Sequence, residues 1–184
     1  MFSKFMIERM IVMNPYYALG VFVGVLVGLI LLVVFMKAIN NDGKFKTEYD
    51  ERQKEARGKG YMYGFWSILL ANACLLILST SYDLKVLGFT VYFIPILVGV
   101  VVQVTYCIFK DAYVGLNNNM TRFVIIMSIV TVFNLFVGVK AYLDGELIKQ
   151  GTVSSAFVNV LCGGIFLILT IELGIKKILD SRAE

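Results

Sequence analysis

Five apolar runs constrain this chain more than any other feature, because each is close to the ~20 residues that a helix needs to cross hydrocarbon. They are Tyr17 to Ile39, Tyr61 to Thr80, Phe89 to Phe109, Phe123 to Tyr142 and Val153 to Ile175. Inside a bilayer the backbone finds no water, so a spanning segment must close its hydrogen bonds within itself as a helix. The runs therefore predict an all-α polytopic membrane protein, a five-transmembrane-helix bundle forming one domain over residues 1–184. Composition agrees, since 59% of residues are hydrophobic against roughly 45–50% in soluble domains. The longest polar stretch, Asn40 to Gly60, is too short for a folded extramembrane domain. The first run lacks a small-x-small cleavage site and follows Pro15 and two tyrosines, so it reads as a retained helix.

Cationic residues in alternate connections set the orientation. One side receives Lys37, Lys44, Lys46, Arg52, Lys54, Arg57, Lys59, Lys110, Arg122, Lys176, Lys177 and Arg182; the other receives Lys4, Arg9, Lys85, Lys140 and Lys149. The bias predicts the N-terminus outside and the C-terminus in the cytosol. The net charge of +4 sits beside membrane segments, where lipid headgroups are the nearest partners, and does not point to nucleic acid. Residues Met1 to Asn14, with Phe2, Phe5, Met6, Met10 and Met13, suit a short helix in the outer interface. Tyr16 and Tyr17 at one level, and Tyr61, Tyr63 and Trp66 at the other, fit aromatic belts.

The Asn40 to Gly60 loop divides into a turn, Asn40-Asn41-Asp42-Gly43, and a charged helix over residues 47–60 that runs into the second span. Thr47 and Asp50 have capping-box spacing. Glu48 with Arg52, Asp50 with Lys54, and Glu55 with Lys59 stand four apart with the acid first, the favourable order. Gly58, Gly60 and Gly64 loosen the junction and admit a close neighbour. The later connections carry turn signals at Asp83 to Lys85, Asn117 to Asn119, and Asp144-Gly145.

The stretch from Glu48 to Tyr61, with Asp50-Glu51-Arg52-Gln53 directly before a span, resembles a juxtamembrane Asp-Glu-Arg-Gln element in uncharacterised small multi-pass membrane proteins of Firmicutes. Some of those proteins are encoded beside small helix-turn-helix regulators, and none brings an assigned activity. The resemblance covers about fifteen residues. It implies a bacterial cell membrane and a cytosolic segment that contacts a partner.

Within the spans, Gly20, Gly24 and Gly28 share one face of the first helix and suit close packing, either inside the chain or between two copies. Ser155, Asn159 and Gly163 form a matching small-residue stripe on the fifth helix. Asn72, Gln103, Asn134 and Asn159 place amides in hydrocarbon, where they either bond helix to helix or line a polar cavity. Pro95 favours a kink in the third span. Glu172, the one acid inside a span, has Lys176 four residues on as an expected interfacial partner.

Cys74, Cys107 and Cys162 all fall within helices and suggest neither a disulfide framework nor a zinc site. With no His in the chain, imidazole ligation and His general-base catalysis are excluded. No Walker loop, nucleophile elbow or paired intramembrane aspartates occur, so neither enzyme activity nor a cofactor or metal is expected. The leading expectation is a non-enzymatic sensor, anchor or accessory subunit that engages a cytosolic partner or inner-leaflet lipid through residues 47–60. Asp50, Glu51, Arg52 and Arg57 are its candidate contacts. The alternative is a small-solute transporter component or channel built on the four amides.

Overall fold

The computed structural model describes residues 15–183, so the expected interfacial helix of residues 1–14 lies outside the described residues. The chain is 78% helical, which fixes the all-α class, and five of its helices are long and apolar enough to span a membrane. They are α1 (Pro15–Ile39), α2 (Glu51–Ser81), α3 (Phe93–Phe109), α4 (Met120–Leu143) and α5 (Phe157–Ala183). A 3-10 helix (Leu84–Tyr92) precedes α3, and a hairpin of two-residue strands, β1 (Ile148–Lys149) and β2 (Thr152–Val153), separates α4 from α5. Contacts divide the chain into two compact units, Met1–Thr47 and Glu48–Glu184.

The first unit holds α1 and the turn after it. Within this unit Leu19, Gly20 and Phe22 to Val34 are exposed, and a Cβ built on Gly20, Gly24 or Gly28 would meet no atom within 4 Å. After the helix, Asn40 folds the turn back: its Nδ2 donates to Lys44 O at 2.6 Å and to Lys46 O at 3.3 Å.

In the second unit the main helix pairs run α2 with α3, α3 with α5, and α5 with α4. Lipid supplies no hydrophobic drive between helices, so close approach at small residues holds such pairs. On α2, a Cβ at Gly60 would stand 2.8 Å from Cys107 Sγ, and one at Gly64 would stand 3.0 Å from both Gln103 Cβ and Gly99 O. On α5, Gly163 sits against Leu135 of α4.

Several expectations are corrected. The charged helix expected over residues 47–60 starts at Glu51, and it runs on into the span without a loosened junction, as one helix to Ser81. Of the junction glycines, Gly60 and Gly64 do admit a neighbour, while Gly58 meets nothing within 4 Å. Pro95 makes no kink. It stands in the first turn of α3, where the missing N–H has no intrahelical acceptor to lose. The tight turn expected after Asp83 is instead the start of the 3-10 helix, capped by Asp83 through Lys85 N at 3.0 Å. There Gly88 has φ 53°, and a Cβ on it would lie 2.5 Å from Val153 O, so only glycine fits beneath β2. The fifth run begins as this hairpin, turned by Gln150 and Gly151 at positive φ, and α5 starts only at Phe157.

Candidate functional site

The polar groups of the second unit gather where the start of α2 meets the loop between α3 and α4 and the end of α5. The local cause at α2 is a capping box that starts three residues later than Thr47 suggests. Asp50 Oδ1 accepts from Gln53 N at 2.6 Å, and Asp50 N donates to Gln53 Oε1 at 3.3 Å. Gln is long enough to reach back from the third helical position, whereas an Asp at that position is shorter. Thr47 therefore stays outside the helix, with its buried hydroxyl unpaired.

Gln53 is 6% exposed and carries a second duty. Its Nε2 donates to Asp111 O at 2.7 Å and to Val114 O at 3.2 Å. Arg57 lies over the Tyr49 ring at 4.2 Å and donates to Ala112 O and Tyr61 Oη, each at 3.1 Å. On the loop side, Leu116 N donates to Glu48 O at 2.9 Å, and Glu48 N donates to Asn117 Oδ1 at 2.9 Å. The loop thus clasps the first two turns of α2.

The loop is shaped by the way α3 ends. Ala112 N donates to Cys107 O at 2.8 Å, and Asp111 takes a left-handed conformation, φ 54°, a Schellman-type stop. Glycine usually fills this position; Asp is among the few alternatives that tolerate it. Its carboxylate lies between two cations, Arg52 Nη1 at 3.8 Å and Lys176 Nζ at 2.8 Å. Lys176 also reaches Asp180 at 2.6 Å and is only 19% exposed in its side chain. An amphipathic cavity of about 270 Å³ opens here, with Ile108, Val114, Met120 and Leu173 as apolar wall and Asp111, Lys176 and Asp180 as polar rim. Tyr113, another of its lining residues, packs edge-on to Phe123 at 5.4 Å. Burial pushes its phenol up to about 12, with Tyr49 adding to the rise and Arg57 opposing it.

These contacts reassign the expected site residues. Asp50 is taken by the cap and Arg57 by the loop, so both hold the fold together. Arg52 reaches Asp111 across the loop and not Glu48, which precedes the helix and lacks helical spacing to it. Lys54 pairs with Glu51 at 2.7 Å and not with Asp50, whose carboxylate caps the helix. Glu55 and Lys59 do pair, at 2.7 Å. Glu51, Arg52, Lys54, Glu55 and Lys59 are the exposed charged side chains of these turns. Gln53, Asp111, Lys176 and Asp180 were missed. The Asp-x-x-Gln spacing and the four-residue step from Lys176 to Asp180 are the signals that could have found the first and the last two.

The four amides are not brought together. Asn72 Nδ2 donates to Ile68 O at 2.8 Å, Asn134 Nδ2 to Val130 O at 2.9 Å, and Asn159 Nδ2 to Ala156 O at 3.5 Å, each within its own helical stretch. Gln103 lies against Gly64 in the seam between α2 and α3. Glu172 does not meet Lys176, which is turned to Asp111 and Asp180. It faces Thr105 Oγ1 at 2.9 and 3.0 Å from its two oxygens. Among the described residues no three His, Cys, Asp or Glu side chains could hold a metal ion.

Fold and site define a multi-pass membrane protein. The chain matches no protein-family model, no curated protein and no solved structure.

Proposed function

We propose that this chain is a non-enzymatic multi-pass protein of the bacterial cell membrane, with its N-terminus outside and its C-terminus in the cytosol. It acts as a sensor, anchor or accessory subunit whose clasped polar end engages a cytosolic partner. The observation that carries this reading is the line of ion pairs from Arg52 through Asp111 and Lys176 to Asp180, which ties three elements into one preformed surface. The cation bias of the connections supports its cytosolic side, and the likeness of the Asp50 to Gln53 element to Firmicutes proteins supports the bacterial location. On this reading Glu51, Arg52 and Lys54 are the outward contacts, while Asp50 and Arg57 keep the surface in shape.

The test is site-specific photocrosslinking in bacterial cells. A crosslinker at Glu51 or Lys54 should give a discrete adduct, and one at Lys85 or Lys149 none. In a cysteine-free background, a thiol placed at residue 51 should be shielded from an impermeant reagent until the cells are opened. Adducts confined to positions 85 and 149, or immediate labelling at residue 51, would reject the reading. A midplane transport path gains nothing from amides bonded to their own helices.

A further inference from the structure

Lys177 lines the cavity at the polar end, and the line of ion pairs leaves it unused. Among the described residues no carboxylate lies within 4.0 Å of its ammonium, whereas its neighbour Lys176 holds Asp111 at 2.8 Å and Asp180 at 2.6 Å. A lysine ammonium carries three donors, so Lys176 keeps one after those two contacts and Lys177 keeps all of its own. Asp111 is shared further with Arg52 at 3.8 Å. Three cations thus face two carboxylates at this rim, and the surplus positive charge is on Lys177.

The same cavity has an apolar depth. Leu173 stands three residues before Lys176, four before Lys177 and seven before Asp180, so one face of α5 carries them in that order. Leu173 is 1% exposed and lies about 4.5–6 Å along the axis from the two lysines, toward the middle of the span. Ile108, at the end of α3, and Met120, the first residue of α4, line the cavity with it. The main helix pairs run α3 with α5 and α5 with α4, so the space of about 270 Å³ lies among the ends of all three. Apolar wall on the hydrocarbon side and an unpaired cation one turn farther out is the order in which a lipid presents its chain and its head.

We propose that this cavity binds an anionic membrane lipid, one acyl chain against Ile108, Met120 and Leu173 and its phosphodiester on Lys177 and the third donor of Lys176. Basic pockets between the ends of spans suit such heads. A zwitterionic lipid would bring an ammonium for which both carboxylates are already taken, and a soluble anion would leave the apolar wall unused. The inference goes beyond the partner surface: it uses neither Glu51 nor Lys54 and is measured on the isolated chain, so either reading can fail alone.

The probe is phosphatidylglycerol, titrated into the delipidated full chain in detergent and counted by native mass spectrometry beside phosphatidylethanolamine with the same acyl chains. One retained phosphatidylglycerol is expected, its affinity lowered about fivefold by Lys177→Gln, the share of one lysine beside an anionic headgroup. Met120→Trp, which fills the wall and keeps every charge, should lower it at least as much. Lys110→Gln removes an equal charge just past α3, outside the cavity lining, and should leave it unchanged. Inorganic phosphate should not displace the lipid. Equal retention of the two lipids, equal losses in Lys177→Gln and Lys110→Gln, or displacement by inorganic phosphate overturns the proposal. The lysine pair decides the matter even if Met120→Trp fails to fold, since both side chains are exposed.

Discussion

Gly163 and Gly164 are neighbours on α5 at the same depth, yet they face different surroundings, and replacing each with Ala isolates the packing term between α4 and α5. A Cβ at Gly163 would fall 2.7 Å from Leu135 Cδ2 and 3.1 Å from Leu135 N, whereas one at Gly164 would meet nothing within 4 Å. The leucine tip can swing aside but the backbone nitrogen cannot, so part of the cost must appear as separation of the two helices. Both variants gain about 1 kcal/mol of helix propensity over glycine. Over-packing a filled contact costs about 1–3 kcal/mol. The propensity terms cancel in the difference, so Gly163→Ala should be less stable than Gly164→Ala by about 2 kcal/mol, the middle of that range. At about 2–4 °C per kcal/mol for a chain of this size, the two melting midpoints should differ by about 4–8 °C. Thermal unfolding in one detergent, followed by far-ultraviolet circular dichroism, measures this directly. Equal midpoints, or a higher one for Gly163→Ala, would refute the seam.

Other consequences can be checked on the same preparation. Gln53→Leu removes the reciprocal cap and two bonds to loop carbonyls, so it should cost about 1–3 kcal/mol and speed proteolysis between residues 110 and 119. Asn72→Leu loses only a bond to its own helix from an exposed position, and its midpoint should stay within a degree or two of wild type or rise. Tyr113 holds its proton to about 12 in the fold against an ordinary 10.0, so its contribution is complete below pH 10 and is lost as pH climbs toward 12. In a pH titration of phenolate absorbance, the component removed by Tyr113→Phe should be the late one. A component centred near pH 10 would contradict the burial.

The number of spans was legible because the length and apolarity of a membrane helix leave few alternatives. Helix ends were less so. Thr47 and Asp50 both satisfy a capping pattern, and the choice between them turns on the reach of the Gln53 side chain, which a one-dimensional spacing does not weigh. Pro95 looked like a kink because its run was read as starting at Phe89; placing α3 at Phe93 moves the same proline into a harmless first turn. The polar end was partly visible in the Asp50 to Gln53 element. Its other half, Asp111 and Lys176, comes from residues 65 positions apart in the chain, and no local pattern links them. The Glu172 expectation failed for the same reason: Lys176 had the right helical spacing, but two aspartates, one of them from another element, compete for it.

The unbroken course of α2 gives the molecule a stiff mast. Its 31 residues extend about 46 Å, against the ~30 Å of a hydrocarbon core, so about three turns exceed what a bilayer covers. The glycines at residues 60 and 64 hold the rod close against α3, and above them Gln53 and Arg57 fasten the same rod to the loop that follows α3. The first turns of α2 and that loop are therefore braced as one body, so the polar end keeps its shape without a folded extramembrane domain to support it.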